Sequence, residues 1–401
     1  MLRDGRAILF DLDDTLLGNE MGSFLPAYFG ALTQSFPETP PQQFTEALMK
    51  GTRAMIANTN PTRSLITVFT EKFYPLLNAK AEEWEPRFAA FYRKQFPQLR
   101  GVTRPRPAAR PLLKWASAAG YEVVIATSPL FPRAAIEERL RWAGLEDVPF
   151  ARLTSYETSH FSKPHPEYLA EILAHLGRRP EEALMIGNDW EQDIAPAAAL
   201  GMASYWIAPP GSEPPNAALH PFGIGTLEMF GEWARSTLPG LTLPPPPASA
   251  LPFLLTGNLA TAHGMLETAA AADWKKRPAP DEWSLTEIVC HLRDVEREVN
   301  GPRLRAVLDS DNPFISGVDS DPWAQTRAYQ SQSGPEALKA FTAARAEVVA
   351  QLAALAPEAW NRPARHALFG PTHTAEIVGW VLDHDRIHFS QLRETRQRLS
   401  L

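Results

Sequence analysis

The sequence predicts an α/β unit with a parallel sheet, interrupted by a helical insertion and followed by an all-α bundle. In the first half, short apolar runs that end in polar residues alternate with helical patterns. In the second half, apolar residues recur at helical spacing, and a proline-rich stretch separates the halves. Alternating strands and helices are typical of a parallel sheet, whereas helical spacing without clear strands is typical of a bundle. The length of 401 residues suits two or three domains.

The α/β pattern rests on three predicted strands, at 7–10, 122–126 and 184–186. Between the first two, residues 17–105 carry apolar side chains at three- and four-residue intervals, which predicts helices. The clearest such segments are 44–55, 64–77 and 82–96. We therefore expect a first domain at 1–238. Its core is formed by about 1–16 and 106–238, and helices at about 17–105 lie over the carboxyl ends of the strands.

A stiff linker is predicted at 239–251, because Pro244 to Pro247 can continue neither a helix nor a sheet ladder. Residues 252–401 form the predicted bundle. A helix is predicted at 284–299, and Ser284 and Glu287 at its start have the spacing of a capping box.

Composition excludes several classes of protein. The single cysteine, Cys290, rules out an intrachain disulfide and fits a reducing compartment. The net charge of −7 argues against nucleic acid or an anionic membrane as the main partner. The sequence has neither a secretory signal pattern nor an apolar run long enough to span a bilayer, so we expect a cytoplasmic protein.

Two carboxylates, Asp11 and Asp13, directly follow the first predicted strand. Ligands of open α/β sheets bind at the carboxyl ends of strands, and close carboxylates repel each other unless a cation or proton intervenes. Hard cations such as Mg²⁺ prefer oxygen ligands. The pattern therefore indicates an ion site, although a solvated loop would have the same tripeptide.

Three further polar patches lie in the same region. Thr127 and Ser128 end the second predicted strand and could either bind an anion or cap a helix. Lys163 precedes Pro164 and could be a fixed cation or a solvated side chain. The third predicted strand is followed by an acidic loop with Gly187, Asn188, Asp189 and Asp193. Four unrelated loops in this order are improbable, so we expect these patches to belong to one site.

These patches resemble the four motifs of the haloacid dehalogenase (HAD) superfamily over about residues 5–235. Phe-Asp-Leu-Asp-Asp-Thr-Leu at 10–16 resembles the first motif, Thr127 the second, Lys163 the third and Asp189 with Asp193 the fourth. The insertion resembles the helical cap of this superfamily. The resemblance implies a Rossmann-like three-layer core and a hydrolase, here a Mg²⁺-dependent phosphatase of a small phosphorylated metabolite.

The resemblance also implies a role for each residue. Asp11 would be the nucleophile that forms an aspartyl-phosphate, and Asp13 would protonate the leaving group and then activate water. Thr127 and Lys163 would bind the phosphoryl oxygens. Members that cleave carbon–halogen bonds lack the second aspartate, so Asp13 favours a phosphatase.

The metal ligands implied are Asp11, the carbonyl of Asp13 and an acidic residue of the fourth motif. That motif departs from the usual Gly-Asp, because Gly187 is followed by Asn188. Asp189 is favoured as the ligand, since a carboxylate holds Mg²⁺ better than an amide, but Asn188 remains the alternative. Asp193 is either a second ligand or the partner of Lys163.

Three histidines form a second candidate site. His384 and His388 are four residues apart and share one helix face, while His291 lies on the apolar face of an earlier helix. Three core-facing imidazoles could hold a metal with an open position, or each could be an ordinary core residue. Cys290 is expected to point away from this centre as a buried thiol, and His373 to cap a helix or to lie at the surface.

Residues 252–401 resemble the DinB/YfiT-like four-helix bundles, through Asp-Glu-Trp-Ser at 281–284, His-Leu at 291–292 and the segment from His384 to Leu392. The resemblance implies a Zn²⁺ or Ni²⁺ site formed by His291, His384 and His388. Two alternatives stay open: the bundle holds the main activity as a metal- and thiol-dependent transferase or hydrolase, or it is a non-catalytic module for binding or homodimerisation.

Overall fold

The computed structural model describes residues 6–401, and the chain divides into two compact units at Pro245–Pro246. This division lies within the predicted proline-rich linker. Among the described residues, none of the helices combines the length and apolarity that crossing a bilayer requires.

The first unit is built on a six-stranded parallel sheet. The strands are β1 (Ala7–Phe10), β4 (Glu122–Ile125), β5 (Arg152–Leu153), β6 (Ala183–Gly187), β7 (Ala203–Ile207) and β8 (Gly223–Gly225). Their order in the sheet is β5-β4-β1-β6-β7-β8. All four residues of β1 are buried, as expected for a central parallel strand that is covered on both faces. The three predicted strands are thus confirmed, and they lie side by side at the centre of the sheet.

Helices that follow these strands complete the α/β unit. They are α5 (Ala109–Ala118), α6 (Arg133–Trp142), α7 (Pro166–Leu176), α8 (Ala195–Ala199) and α9 (Leu227–Thr237). A single turn of π-helix, Trp190–Ile194, leads into α8 and forms part of the acidic loop that follows β6. The alternation predicted from the sequence is present.

The insertion after β1 contains four helices: α1 (Met21–Gln34), α2 (Pro41–Ile56), α3 (Leu65–Leu76) and α4 (Ala81–Lys94). A two-stranded antiparallel ladder of β2 (Leu17–Gly18) and β3 (Arg104–Pro105) joins its two ends. Aromatic side chains form its core. The ring centroid of Phe36 lies 4.6 Å from that of Trp84 and 4.7 Å from that of Phe88. We call this insertion the cap.

The second unit is mainly helical. Its helices are α10 (Leu251–Leu266), α11 (Leu285–Val295), α12 (Gly301–Asp309), α13 (Trp323–Thr326), α14 (Gly334–Ala353) and α15 (Thr374–Leu399). The capping box predicted at the start of α11 is present: Glu287 N donates to Ser284 Oγ, and Ser284 N donates to the Glu287 carboxylate. The long helices α10, α11, α14 and α15 pack against one another as the four-helix core.

A small three-stranded sheet also belongs to this unit, which the sequence pattern did not predict. Its strands are β9 (Phe314–Ile315), β10 (Pro363–His366) and β11 (Gly370–His373). They are two to four residues long, too short for a period-two pattern to emerge from the sequence.

Candidate functional site

The four polar patches of the first unit meet at the carboxyl edge of the sheet. Asp11 directly follows β1, Thr127 lies two residues beyond β4, and Asn188 directly follows β6. Because β1 lies between β4 and β6, these loops are neighbours, and all of them line one cavity together with Lys163. The sheet topology therefore brings together residues that are far apart in the sequence.

Lys163 is the buried centre of the charge arrangement. Its Nζ donates to Asp11 Oδ1 at 2.7 Å and to Asp193 Oδ1 at 2.5 Å. The other oxygen of Asp193 accepts from the main-chain N–H of Asp189 at 3.0 Å. Of the two roles considered for Asp193, this geometry matches the partner of Lys163.

Gly187 makes this arrangement sterically possible. A Cβ atom at this position would lie 2.1 Å from Asp193 Oδ2, well inside van der Waals contact. Any side chain here would displace Asp193 and with it the ion pair to Lys163. The glycine is therefore needed for the close approach of Asp193 to the backbone.

The carboxylates of the site are crowded in a buried environment. The pKa of Asp11 is raised to about 7. Its burial removes the carboxylate from water, and this desolvation, together with repulsion by Asp193 and Asp13, outweighs the attraction of Lys163. Burial likewise raises the pKa of Asp193. Burial by itself would lower the pKa of Lys163, but Asp11 and Asp193 outweigh it and hold that pKa above its usual value. The site can therefore accommodate a further positive charge.

Asp13 is held by two residues that the sequence analysis did not identify. Asn19 Nδ2 donates to Asp13 Oδ1 at 2.7 Å, and Arg139 Nη1 donates to Asp13 Oδ2. Arg139 lies on α6 with its side chain 1% exposed and its guanidinium over the ring of Phe131. No sequence signal marks Arg139, because Glu-Glu-Arg-Leu-Arg at 137–141 has the composition of a solvated helix face.

Asp189 and Asn188 have different surroundings. Both oxygens of Asp189 accept hydrogen bonds from the following turn: Oδ1 from the main-chain N–H groups of Glu191 and Gln192, and Oδ2 from the Gln192 side chain. Asn188 Oδ1 accepts from Thr15 Oγ1 at 3.0 Å. Asp189 is thus an N-cap, a role that its sequence position did not reveal.

Thr127 is buried at the cavity wall. Its main-chain carbonyl accepts hydrogen bonds from Thr154 Oγ1 at 2.8 Å and from Tyr168 Oη at 2.7 Å, which fix the loop after β4. The hydroxyl of Thr127 has no hydrogen-bond partner among the described residues. It is therefore free to donate to an anion in the cavity.

The three predicted histidines of the second unit converge. His291 of α11 and His384 and His388 of α15 each offer a ring nitrogen, and these nitrogens lie within 4.8 Å of one another. The Nε2 atoms of His291 and His384 are 3.1 Å apart. Neither Nδ1 atom of this pair has a partner among the described residues. His388 Nδ1 is paired with Gln391 Oε1 at 3.0 Å.

The three imidazoles are held in the neutral form, which is the form that ligates metals. Burial, together with His388 and His384, lowers the pKa of His291 to about 3. Burial and His388 lower the pKa of His384 to about 4, and burial lowers that of His388. The ring of Trp283 stacks on His388 with an interplanar angle of 3° and covers one side of the cluster.

A buried ionic network includes Asp385, the residue that follows His384 in the sequence. The Arg345 guanidinium of α14 donates to Glu296 at 2.6 and 2.9 Å and to Asp385 at 2.6 and 3.1 Å. Asn258 of α10 also donates to Asp385, at 2.9 Å. Because Asp385 follows His384, this network fixes the segment of α15 that presents the histidines.

Family comparisons agree with the division into two units. Residues 6–201 match the model of the haloacid dehalogenase-like hydrolases, and residues 254–392 match that of the DinB superfamily. The first unit belongs to the HAD-like hydrolases, and the second to the DinB superfamily. The chain is therefore a hydrolase with an added helical domain.

Individual relatives match one unit or the other. The chain is 28% identical to the phosphoglycolate phosphatase of Rhodospirillum rubrum over 240 residues, which cover 59% of this chain and 93% of the relative. It is 20% identical to the Bacillus subtilis protein YuaE over 140 residues, 31% of this chain and 83% of YuaE. A HAD phosphatase structure from Thermococcus onnurineus is 24% identical, with a TM-score of 0.38, and covers 59% of this chain and 100% of that structure.

Two residues of the DinB-like unit lie as the sequence predicted. Cys290 is buried and outside the histidine cluster, its Sγ lies 3.6 Å from Gln332 Oε1, and burial raises its pKa to about 11. His373 precedes α15 and accepts from the main-chain N–H of Glu376 at 3.4 Å. Cys290 is thus a structural thiol, and His373 is a helix cap.

Proposed function

We propose that the HAD-like unit is a Mg²⁺-dependent phosphatase that acts through an aspartyl-phosphate on Asp11. The observation that carries the proposal is the buried cluster at the carboxyl edge of the sheet, beside Asp13, in which Lys163 pairs with both Asp11 and Asp193. Relatives named phosphoglycolate phosphatase and glyceraldehyde 3-phosphate phosphatase support it.

The residues present fit a hard divalent cation. Several carboxylates surround a single lysine, and burial has raised the pKa of Asp11. Asp11, the carbonyl of Asp13 and one oxygen from the loop after β6 would hold Mg²⁺. We propose Asn188 for that oxygen, because its Oδ1 accepts one hydrogen bond, from Thr15, whereas the Asp189 carboxylate accepts three from its own turn. When bound, Mg²⁺ would neutralise the approaching phosphate and the carboxylates around it.

In the first step, a carboxylate oxygen of Asp11 attacks phosphorus. The new O–P bond forms as the ester P–O bond breaks, and the leaving oxygen takes the proton of Asp13. Arg139 and Asn19 hold the Asp13 carboxyl group in place during this transfer. Lys163 and the Thr127 hydroxyl bind the phosphoryl oxygens, whose charge they stabilise.

In the second step, Asp13 takes a proton from water, which attacks the phosphorus of the aspartyl-phosphate. The bond between Asp11 and phosphorus breaks, inorganic phosphate leaves, and the Asp11 carboxylate is restored. Asp13 is then protonated again and ready for the next ester. The two carboxyl groups thus have separate tasks, as nucleophile and as acid–base.

Removal of the metal tests this function. With 4-nitrophenyl phosphate and a panel of metabolite phosphates, we expect hydrolysis in Mg²⁺ that falls to background in EDTA and returns when Mg²⁺ is added back. Release of inorganic phosphate measures it. Hydrolysis that continues unchanged in EDTA would contradict the proposed metal dependence.

We also propose that the DinB-like unit binds a divalent transition metal, Zn²⁺ or Ni²⁺, through His291, His384 and His388. Three neutral imidazoles, each with a ring nitrogen within 4.8 Å of the others, fit such an ion. The three ligands leave room for a further one.

Metal analysis tests the second proposal. We expect about one Zn²⁺ or Ni²⁺ per wild-type chain and its loss in the His384→Ala/His388→Ala double variant, measured by plasma mass spectrometry. His220→Ala is the control, because His220 is exposed and lies in the other unit. Equal metal content in the double variant and the wild type would reject the triad.

A further inference from the structure

The cavity of the HAD-like unit is much larger than a phosphoryl group needs. Its volume is about 500 Å³, and it is lined both by Asp11 and by the helices of the cap. The cap side is apolar and aromatic; its wall includes Leu25, Phe29, Leu48, Ile56, Phe69 and Phe88. Cavities of this size and composition hold organic ligands. This part of the cavity is therefore suited to the organic portion of the substrate.

The charges of the cavity restrict what that portion can be. Of the described residues that line it, Lys163 is the one lysine or arginine, and it is already paired with Asp11 and Asp193. The cap helices contribute one charged lining residue, Glu85. A second acidic group on the substrate would thus face a carboxylate and find no unpaired cation, which is costly in a buried site.

The tyrosines of the cavity provide neutral polar contacts. The hydroxyls of Tyr28 and Tyr92 bond each other at 2.7 Å, and Tyr74 donates to Glu85. The hydroxyl of Tyr156 has no hydrogen-bond partner among the described residues, and burial raises its pKa, so it stays neutral. These groups suit an uncharged or amine-bearing ligand, because the faces of aromatic rings and the Glu85 carboxylate can both interact favourably with a cation.

We propose that this cavity selects phosphate monoesters of bulky apolar alcohols, phenols above all, whose organic part carries no second acidic group. The inference rests on the proposed phosphatase function and specifies its substrate class. The apolar wall gains from burying a ring, while Glu85 disfavours a carboxylate. Small acidic esters such as phosphoglycolate should be poor substrates.

A matched series of aryl phosphates tests the proposal with the full-length chain in Mg²⁺. The phosphate esters of 4-methylphenol, tyramine and 4-hydroxyphenylacetate have similar leaving groups and differ in charge, and phosphoglycolate is the small acidic ester. We expect kcat/KM for the first two to exceed that for the other two by about tenfold or more, equivalent to about 1.4 kcal/mol for each factor of ten.

Two variants test the role of Glu85. Glu85→Gln should raise kcat/KM for the hydroxyphenylacetate ester relative to the methylphenyl ester. Glu82→Gln is the control, because Glu82 is an exposed glutamate on the same helix, α4, and it should leave this ratio unchanged. No change of the ratio in Glu85→Gln would overturn the role given to this carboxylate.

The outcomes separate the substrate class from the function. If the hydroxyphenylacetate ester or phosphoglycolate is hydrolysed as well as the methylphenyl ester, the substrate class is overturned and the phosphatase stands. If none of these esters nor 4-nitrophenyl phosphate is hydrolysed, the phosphatase function fails and the inference fails with it.

Discussion

Asp11→Asn should abolish phosphate ester hydrolysis, with a fall in kcat on the order of 10⁴-fold or more. Asparagine has nearly the shape of aspartate, so it can occupy the same place beside Lys163. Its amide, however, cannot attack phosphorus as a carboxylate can. Steady-state release of phosphate, with folding checked by circular dichroism, measures the effect.

The control for this variant is Asp147→Asn. Asp147 is an exposed aspartate of the same unit that pairs with Arg110 and Lys114 on the surface. The same chemical change there should leave kcat within about twofold of the wild type, since surface substitutions seldom have larger effects. Wild-type kcat in folded Asp11→Asn enzyme would show that another group is the nucleophile.

Arg345→Met should strongly destabilise the DinB-like unit. The substitution keeps an unbranched side chain but removes the partner of two carboxylates, Glu296 and Asp385, which are both completely buried. Breaking one side of a buried ion pair typically costs about 3–5 kcal/mol, because the remaining charges stay desolvated and unpaired. Calorimetry of the full-length chain should show a lower unfolding temperature for one transition, with the HAD-like transition unchanged.

A surface ion pair provides the comparison. Arg398→Met breaks the pair with Glu282, whose side chains are 49% and 42% exposed, and should change the unfolding temperature little. Restoring charge balance in the triple variant Arg345→Met/Glu296→Gln/Asp385→Asn should recover part of the lost stability. A single variant Arg345→Met as stable as the wild type would contradict the importance of the network.

The parts of the fold that the sequence predicted are those with local signals. Each of the three central strands is an apolar run that is followed by a polar loop. A few residues therefore predict both the strand and the edge of the sheet at which ligands bind. The same holds for the histidines, since the four-residue spacing of His384 and His388 fixes a shared helix face. Motif order then indicated that the separate loops belong to one site.

The parts that the sequence did not predict depend on tertiary contacts. Arg139 and Arg345 are among the largest fully buried side chains, yet arginine in a helix is most often exposed, so neither could be distinguished beforehand. Helix α1 contains Pro26, a residue that usually interrupts helices, and the sequence did not predict it as a separate helix of the insertion. The capping bonds of Asp189 also become visible only when the turn after β6 is formed.

The most direct test of the account is detection of a phosphoryl group on Asp11. Asp13→Asn enzyme is mixed with 4-nitrophenyl phosphate and Mg²⁺, quenched in acid, digested and measured by peptide mass spectrometry. Nitrophenolate leaves with little need of a proton, whereas water attack still needs Asp13, so the intermediate should accumulate. We expect a burst of about one nitrophenolate per active site and one phosphoryl group on the peptide that carries Asp11. Turnover without a phosphoryl group on that peptide, or with one on another residue, would contradict the account.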